Sequence, residues 1–193
     1  MPGKPSNASL FSPSLFKHPQ ILHQKPVIGL SQCLTGANVR YNAKSKRHDI
    51  ISDYLSKYAT LITICPEVGA GLNTPRPAVQ LVITDNGTKK MLGVDNNNLD
   101  VTDAVQNYSS RIAQQYRDQF HAFIFKARSP SCGYNSTPIF EGHNIIDTGS
   151  GIFAQTVSQQ WPHCLFYQED QLDTKEQCQK LLLACYRQMD QQP

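Results

Sequence analysis

Of the six cysteines in this chain, three sit in a different kind of sequence from the others. Cys33 follows the apolar run Val27-Ile28-Gly29-Leu30 after Ser31-Gln32. Cys65 follows Thr60-Leu61-Ile62-Thr63-Ile64 directly, and Cys132 ends the turn Ser129-Pro130-Ser131 that follows residues 122–125. Short apolar runs bounded by turn residues read as buried strands. Each of these thiols is therefore expected in a turn just past the end of a strand. If the strands are parallel neighbours, the three thiols share one edge of the sheet, where open α/β sheets bind ligands.

Three thiolates in one crevice have three chemical uses. They can hold zinc with an open position, ligate an iron–sulfur cluster, or act as a redox dithiol with a third cysteine nearby. No histidine stands in zinc-ligand spacing with them, and no C-x-x-C occurs, which weakens a zinc knuckle and a thioredoxin-type site. The remaining cysteines read as structural. Cys178 and Cys185 share a helical face with Leu181, Leu182 and Tyr186, and Cys164 opens a strand.

The elements that must place these thiols follow from periodicity. Strands are expected at 26–30, 60–64, 122–125 and 164–167, with a hairpin of 79–84 and 90–94 around Asp85-Asn86-Gly87. Ile51, Tyr54, Leu55 and Tyr58 mark a helix over 48–58. Val101, Val105, Tyr108, Ile112, Tyr116 and Phe120 mark a second over 100–120, with Asp100 as its N-cap. A third is expected over 151–160. A last helix follows Asp173, with Glu176 in capping-box position. Residues 65–77 carry three prolines and two glycines and read as an irregular, functional loop, and residues 145–151 as a polar link. The order predicts an α/β fold: a mostly parallel sheet with helices on both faces, Rossmann-like, with the site at the C-terminal ends of the strands.

A chain of 193 residues is one domain or one domain with tails. Residues 1–24, rich in Pro and Ser, read as a disordered or loosely packed extension, leaving 25–193 as a single domain. No apolar run reaches the roughly 20 residues of a membrane span, and no secretory signal pattern is evident. A cytoplasmic location with reduced thiols is the expectation. The net charge of +3 is mild, but no acidic residue precedes Asp49. A basic first quarter admits an anionic partner, although a solvated face accounts for it more simply.

Four motifs then carry a resemblance: Ser31-Gln32-Cys33-Leu34-Thr35-Gly36 with Val39-Arg40-Tyr41-Asn42, Cys65-Pro66-Glu67-Val68, Thr74-Pro75-Arg76-Pro77, and Lys126-Ala127-Arg128-Ser129-Pro130-Ser131-Cys132-Gly133. In this order they resemble the DUF523 family in its short, stand-alone form, a family that includes iron–sulfur thiouracil desulfidases. Gln32 stands where a small residue is common. The resemblance implies a [4Fe-4S] cluster held by Cys33, Cys65 and Cys132 with one iron open. It also implies a non-redox reaction that replaces the sulfur of a thiouracil thiocarbonyl with oxygen and releases sulfide. Glu67, two residues from a ligand, is the candidate base, and Ser131 is a candidate to bind substrate or relay a proton. Ser129, Arg76 and Arg128 are candidates for substrate contact. The bland alternatives are a helix cap or an Arg76 pair for Glu67, turn roles for the serines and surface ion pairs for the arginines. The substrate expected is a small thiolated base or nucleoside, with thiolated tRNA second, its phosphates contacted by the basic segment Arg40–Arg47, and the protein is expected to be a monomer or weak homo-oligomer. A non-catalytic three-cysteine metal protein is the competing class.

Overall fold

The computed structural model describes residues 24–191, so the extension read at 1–24 lies outside the described residues except for Gln24. Four strands form a wholly parallel sheet: β1 Val27–Ser31, β2 Thr60–Ile64, β5 Ala122–Phe125 and β8 Leu165–Gln168, in the order β2-β1-β5-β8. β5 is buried at every residue, as expected of a central parallel strand covered on both faces.

The two faces follow from side-chain alternation. Ile28, Leu30, Ala122 and Ile124 point one way. They pack against Ile51 and Leu55 from the helical segment Ile50–Leu55, which opens as a wide π-type turn and runs into α1, Ser56–Tyr58. Leu181, Leu182, Cys178 and Cys185 of α5, Lys175–Gln191, cover the same face. Phe123 and Phe125 point the other way, onto Ile112 of α3, Thr102–Gln115, and Phe153 and Val157 of α4, Ile152–Gln160. Trp161 closes this aromatic cluster and donates its indole N–H to the Ala113 carbonyl at 2.8 Å.

The hairpin does not extend this sheet. β3 Val79–Ile83 and β4 Lys89–Gly93 belong to a second, mixed four-stranded sheet in the order β4-β3-β6-β7, with β6 Thr137–Glu141 and β7 Asn144–Gly149. Residues 145–151, read as a link, are therefore mostly strand. β7 is exposed along almost its whole length, so no apolar alternation marks it. Val105 of α3 and Ile152 of α4 pack with Leu81, Met91 and Ile139, so the same two helices cover both sheets.

Smaller departures have local causes. Residues 66–69 are not irregular: Pro66 occupies the first turn of a short helix, α2 Pro66–Gly69, where its missing N–H costs nothing. The second long helix ends at Gln115, before Asp118 takes a left-handed backbone (φ 59°). Asp100 lies one residue ahead of the N-cap and still accepts the Thr102 N–H at 3.0 Å. Lys90 beside it, and then Thr102, hold its carboxyl down at about 2. The capping box of α5 is shifted by one residue, to Thr174 and Gln177. Among the described residues no helix is long and apolar enough to cross a membrane.

Candidate active site

The parallel register puts Ser31 opposite Ile64 and Leu30 opposite Ile124, so three strands end side by side. Each end is followed by one of the singled-out cysteines. Cys33 lies in a single helical turn, Gln32–Thr35, closed by Gly36 in a left-handed conformation (φ 100°). Cys65 is the N-cap residue of α2. Cys132 lies in the turn after β5, where Ser129 Oγ accepts the Ser131 and Cys132 N–H groups at 3.3 and 3.1 Å.

The turn holding Cys132 is fixed from two sides. The start of α4 donates its free amides to it: Ile152 N–H to the Pro130 carbonyl at 3.1 Å and Ala154 N–H to the Ser131 carbonyl at 3.1 Å. From the other side, Gln168 Oε1 accepts the Tyr134 N–H at 3.3 Å and the Ser136 hydroxyl. Ser136 Oγ in turn accepts the Arg128 N–H at 2.9 Å, and Arg128 has a left-handed backbone (φ 59°).

Cys33, Cys65 and Cys132 line one cavity of about 480 Å³, together with Glu67, Arg76, Arg128 and Ser129. Cys164, Cys178 and Cys185 are buried in the apolar clusters instead. Burial pushes the Cys33 thiol up to about 11, and the neighbouring Cys65 adds to this, while Lys126 and Arg40 oppose it. Burial likewise raises Cys65, and it raises Cys132 well above the usual thiol range, with a hydrogen bond from Ser31 opposing. Cys65 also raises Cys33, and both Cys65 and Cys33 raise Cys132, so the sulfurs are close enough to act on one another.

Glu67 is buried beside them. Its Oε2 accepts Arg76 Nε at 2.8 Å and Nη2 at 2.7 Å, and its Oε1 accepts the Ser131 hydroxyl at 2.5 Å. The Glu67–Arg76 pair weighed from the sequence is thus present, as a buried pair and not a surface one. Ser131 is fully buried and faces the carboxylate. Ser129 lines the cavity while serving its turn. Arg128 is largely exposed, with Nη1 3.7 Å from Asp170. Of the basic segment 40–47, Arg40 and Lys46 line the wall. Sequence reasoning gave no role to Lys126, which lies against Glu169, a residue of the turn Glu169–Gln171 that follows β8. Arg40 covers the Tyr41 ring at 5.7 Å. Lys126 and Glu169 are far apart in sequence, so only the β5–β8 pairing could have revealed them.

Among the described residues no group of three or more His, Cys, Asp or Glu side chains is arranged to hold a metal ion. A cluster makes a different demand, because its thiolates bind separate irons. The donors fit it: three soft thiols lining one cavity, with the Glu67 carboxylate that also lines it already engaged by Arg76 and Ser131, and cations beside Cys33.

The sequence profile of the 2-thiouracil desulfurase family matches residues 28–170. A solved structure described as the [4Fe-4S]-dependent thiouracil desulfidase TudS (DUF523Vcz) superposes with a TM-score of 0.59 at 27% identity, covering 77% of this chain and 93% of that one. No curated protein matches. The four motifs, the shared cavity and the match across the whole sheet lead to one conclusion: this chain belongs to the 2-thiouracil desulfurase family, DUF523.

Proposed function

We propose that the protein is a [4Fe-4S]-dependent desulfidase that hydrolyses the thiocarbonyl of thiouracil, or of a related thiolated base or nucleoside. The balance is C=S plus water giving C=O plus hydrogen sulfide, with no change in oxidation state. The observation that supports this most is the sharing of one cavity by three soft thiols and a buried carboxylate. Cys33, Cys65 and Cys132 are the proposed ligands. When bound, the cluster supplies an open iron, a soft Lewis acid matched to a thiocarbonyl sulfur.

Glu67 accepts a proton from the attacking water and passes it towards the departing sulfur. A carboxylate has about four lone-pair sites. Arg76 and Ser131 occupy three of them, which orients Glu67 and leaves capacity for a water. Ser131 therefore acts through Glu67, holding Oε1 in place and relaying its proton. The Ser129 hydroxyl retains its own proton after accepting two amides, and offers it to a ring oxygen or nitrogen. Arg128 adds positive charge at the rim.

The test is anaerobic preparation with iron and sulfide analysis, followed by sulfide release from 2-thiouracil and 4-thiouracil. Near four irons per chain with turnover supports the proposal, and Glu67→Gln should keep the iron and lose turnover. A chain that stays iron-free after reconstitution overturns it. Arg40 and Lys46 on the cavity wall favour thiolated tRNA as a second reading. Binding to tRNA that does not weaken steeply with salt counts against that reading.

A further inference from the structure

Lys126 and Glu169 have no part in the reaction as proposed, yet both are buried at the site, with side chains 14% and 9% exposed. Buried ion pairs add little stability over apolar packing, because desolvation offsets their attraction. Their value has to lie in where they put charge. Lys126 directly follows β5 and lines the cavity. Its backbone N–H bonds Ser31 Oγ at 3.0 Å. Its Nζ contacts Glu169 Oε1 and donates to the Ala127 carbonyl at 2.8 Å, while Glu169 Oε2 accepts the Ala127 N–H at 2.5 Å. The carboxylate and the ammonium together grip the backbone N–H and carbonyl of one residue, Ala127, and fix the ammonium with it.

An ammonium has three N–H donors. Glu169 and Ala127 take two, and no acceptor among the described residues takes the third. The two charges also act on Cys33 with opposite signs, Lys126 favouring its thiolate and Glu169 disfavouring it. Cluster potential depends on net charge and on hydrogen bonds to the sulfurs.

We propose that Lys126, held in place by Glu169, is the cationic positioning residue of this site: its remaining N–H and its charge are offered to the sulfur-rich group that Cys33, Cys65 and Cys132 would hold. The pair then tunes how readily that group takes up an electron and how firmly it is retained. This rests on the cluster reading of the site given above.

The test uses the full chain, reconstituted anaerobically, with the midpoint potential followed by EPR and iron loss to a chelator followed by absorbance. Reduction adds negative charge, so Lys126→Met should lower the midpoint and speed iron loss. Glu169→Gln removes an opposing charge and should raise the midpoint. Lys126→Arg should stay near wild type. Lys126→Met leaves Glu169 buried without its partner, so that variant is the one at risk of misfolding. In that event Glu169→Gln and the charge-neutral double variant, expected between Lys126→Met and wild type because it restores the net charge but not the N–H, carry the test. A purely structural role would move both single variants the same way or not at all, and either result overturns the inference while the cluster reading stands. A wild-type chain that takes up no iron overturns both.

Discussion

Removing the Arg76 guanidinium is the sharpest test of how this site is built. Arg76 and Glu67 are 7% and 11% exposed, and two nitrogens of the guanidinium converge on one carboxylate oxygen at 2.8 and 2.7 Å. That burial decides the scale. An exposed pair contributes about 0–1 kcal/mol, whereas breaking a buried pair costs about 3–5 kcal/mol, because the surviving charge is stranded. Arg76→Met leaves Glu67 with only the Ser131 hydroxyl. Glu67→Gln should cost less, since Arg76 Nη1 keeps the Asn73 carbonyl and Thr74 Oγ1, both at 3.2 Å. The double variant should recover about 2 kcal/mol relative to the sum, within the usual coupling of neighbouring groups. The assay is urea unfolding of the reduced, metal-free chain at neutral pH, followed by far-ultraviolet circular dichroism, with thermal melting as a check. The arginine variant should melt roughly 10 °C lower. A loss below about 1 kcal/mol at unchanged slope, or simple additivity in the double variant, would refute the buried-pair argument and with it the fixed orientation of Glu67.

Three further outcomes follow from particular contacts. Serine at Cys33, Cys65 or Cys132 should abolish or deplete bound iron, while alanine at Cys164, Cys178 or Cys185, which are packed in apolar clusters, should leave the iron content unchanged; iron analysis separates the two sets. Gly133→Ala should destabilise the chain by about 1–3 kcal/mol and speed iron loss. Its Cβ would come 2.2 Å from Thr137 Oγ1 and 3.0 Å from the Ser129 carbonyl, forcing the Cys132 turn to move. Burial holds the His121 imidazole below its ordinary pKa of 6.5, and its Nδ1 accepts the Val27 N–H at 3.0 Å. The unfolded chain therefore binds the proton more readily, and stability should fall as pH drops below about 6.5. Urea midpoints at about pH 7.5 and about pH 5.5 should differ more in wild type than in His121→Asn, and equal differences would contradict this.

What could be read from the sequence was whatever leaves a local mark. The strands ending at Cys33, Cys65 and Cys132 are flanked by turn residues and, where buried on both faces, become short apolar runs. Cys178 and Cys185 declared themselves as core by helical spacing, and they are buried. β6 and β7 left no such mark. Pro138 inside β6 argues against a strand by the usual rule, and the burial that alternates along β6 is not matched by alternating apolar residues in Thr137-Pro138-Ile139-Phe140-Glu141, while β7 is exposed on both faces. Charge was harder still to read. Arg76 and Arg128 look alike in sequence, each in a Pro-containing turn, yet one is buried on Glu67 and the other lies exposed beside Asp170. The difference comes from α2, which carries Glu67 inward, and no periodicity reports that. Lys126 shows the same limit more strongly. Its partner Glu169 arrives only because β8 pairs with β5, with Phe125 opposite Gln168, which puts the residue after each strand side by side. Strand ends thus carry the thiols by local sequence, but strand adjacency assembles the charges around them. Opposed charge substitutions at Lys126, which lies in a motif, and Glu169, which lies in none, therefore probe a pairing that no motif contains.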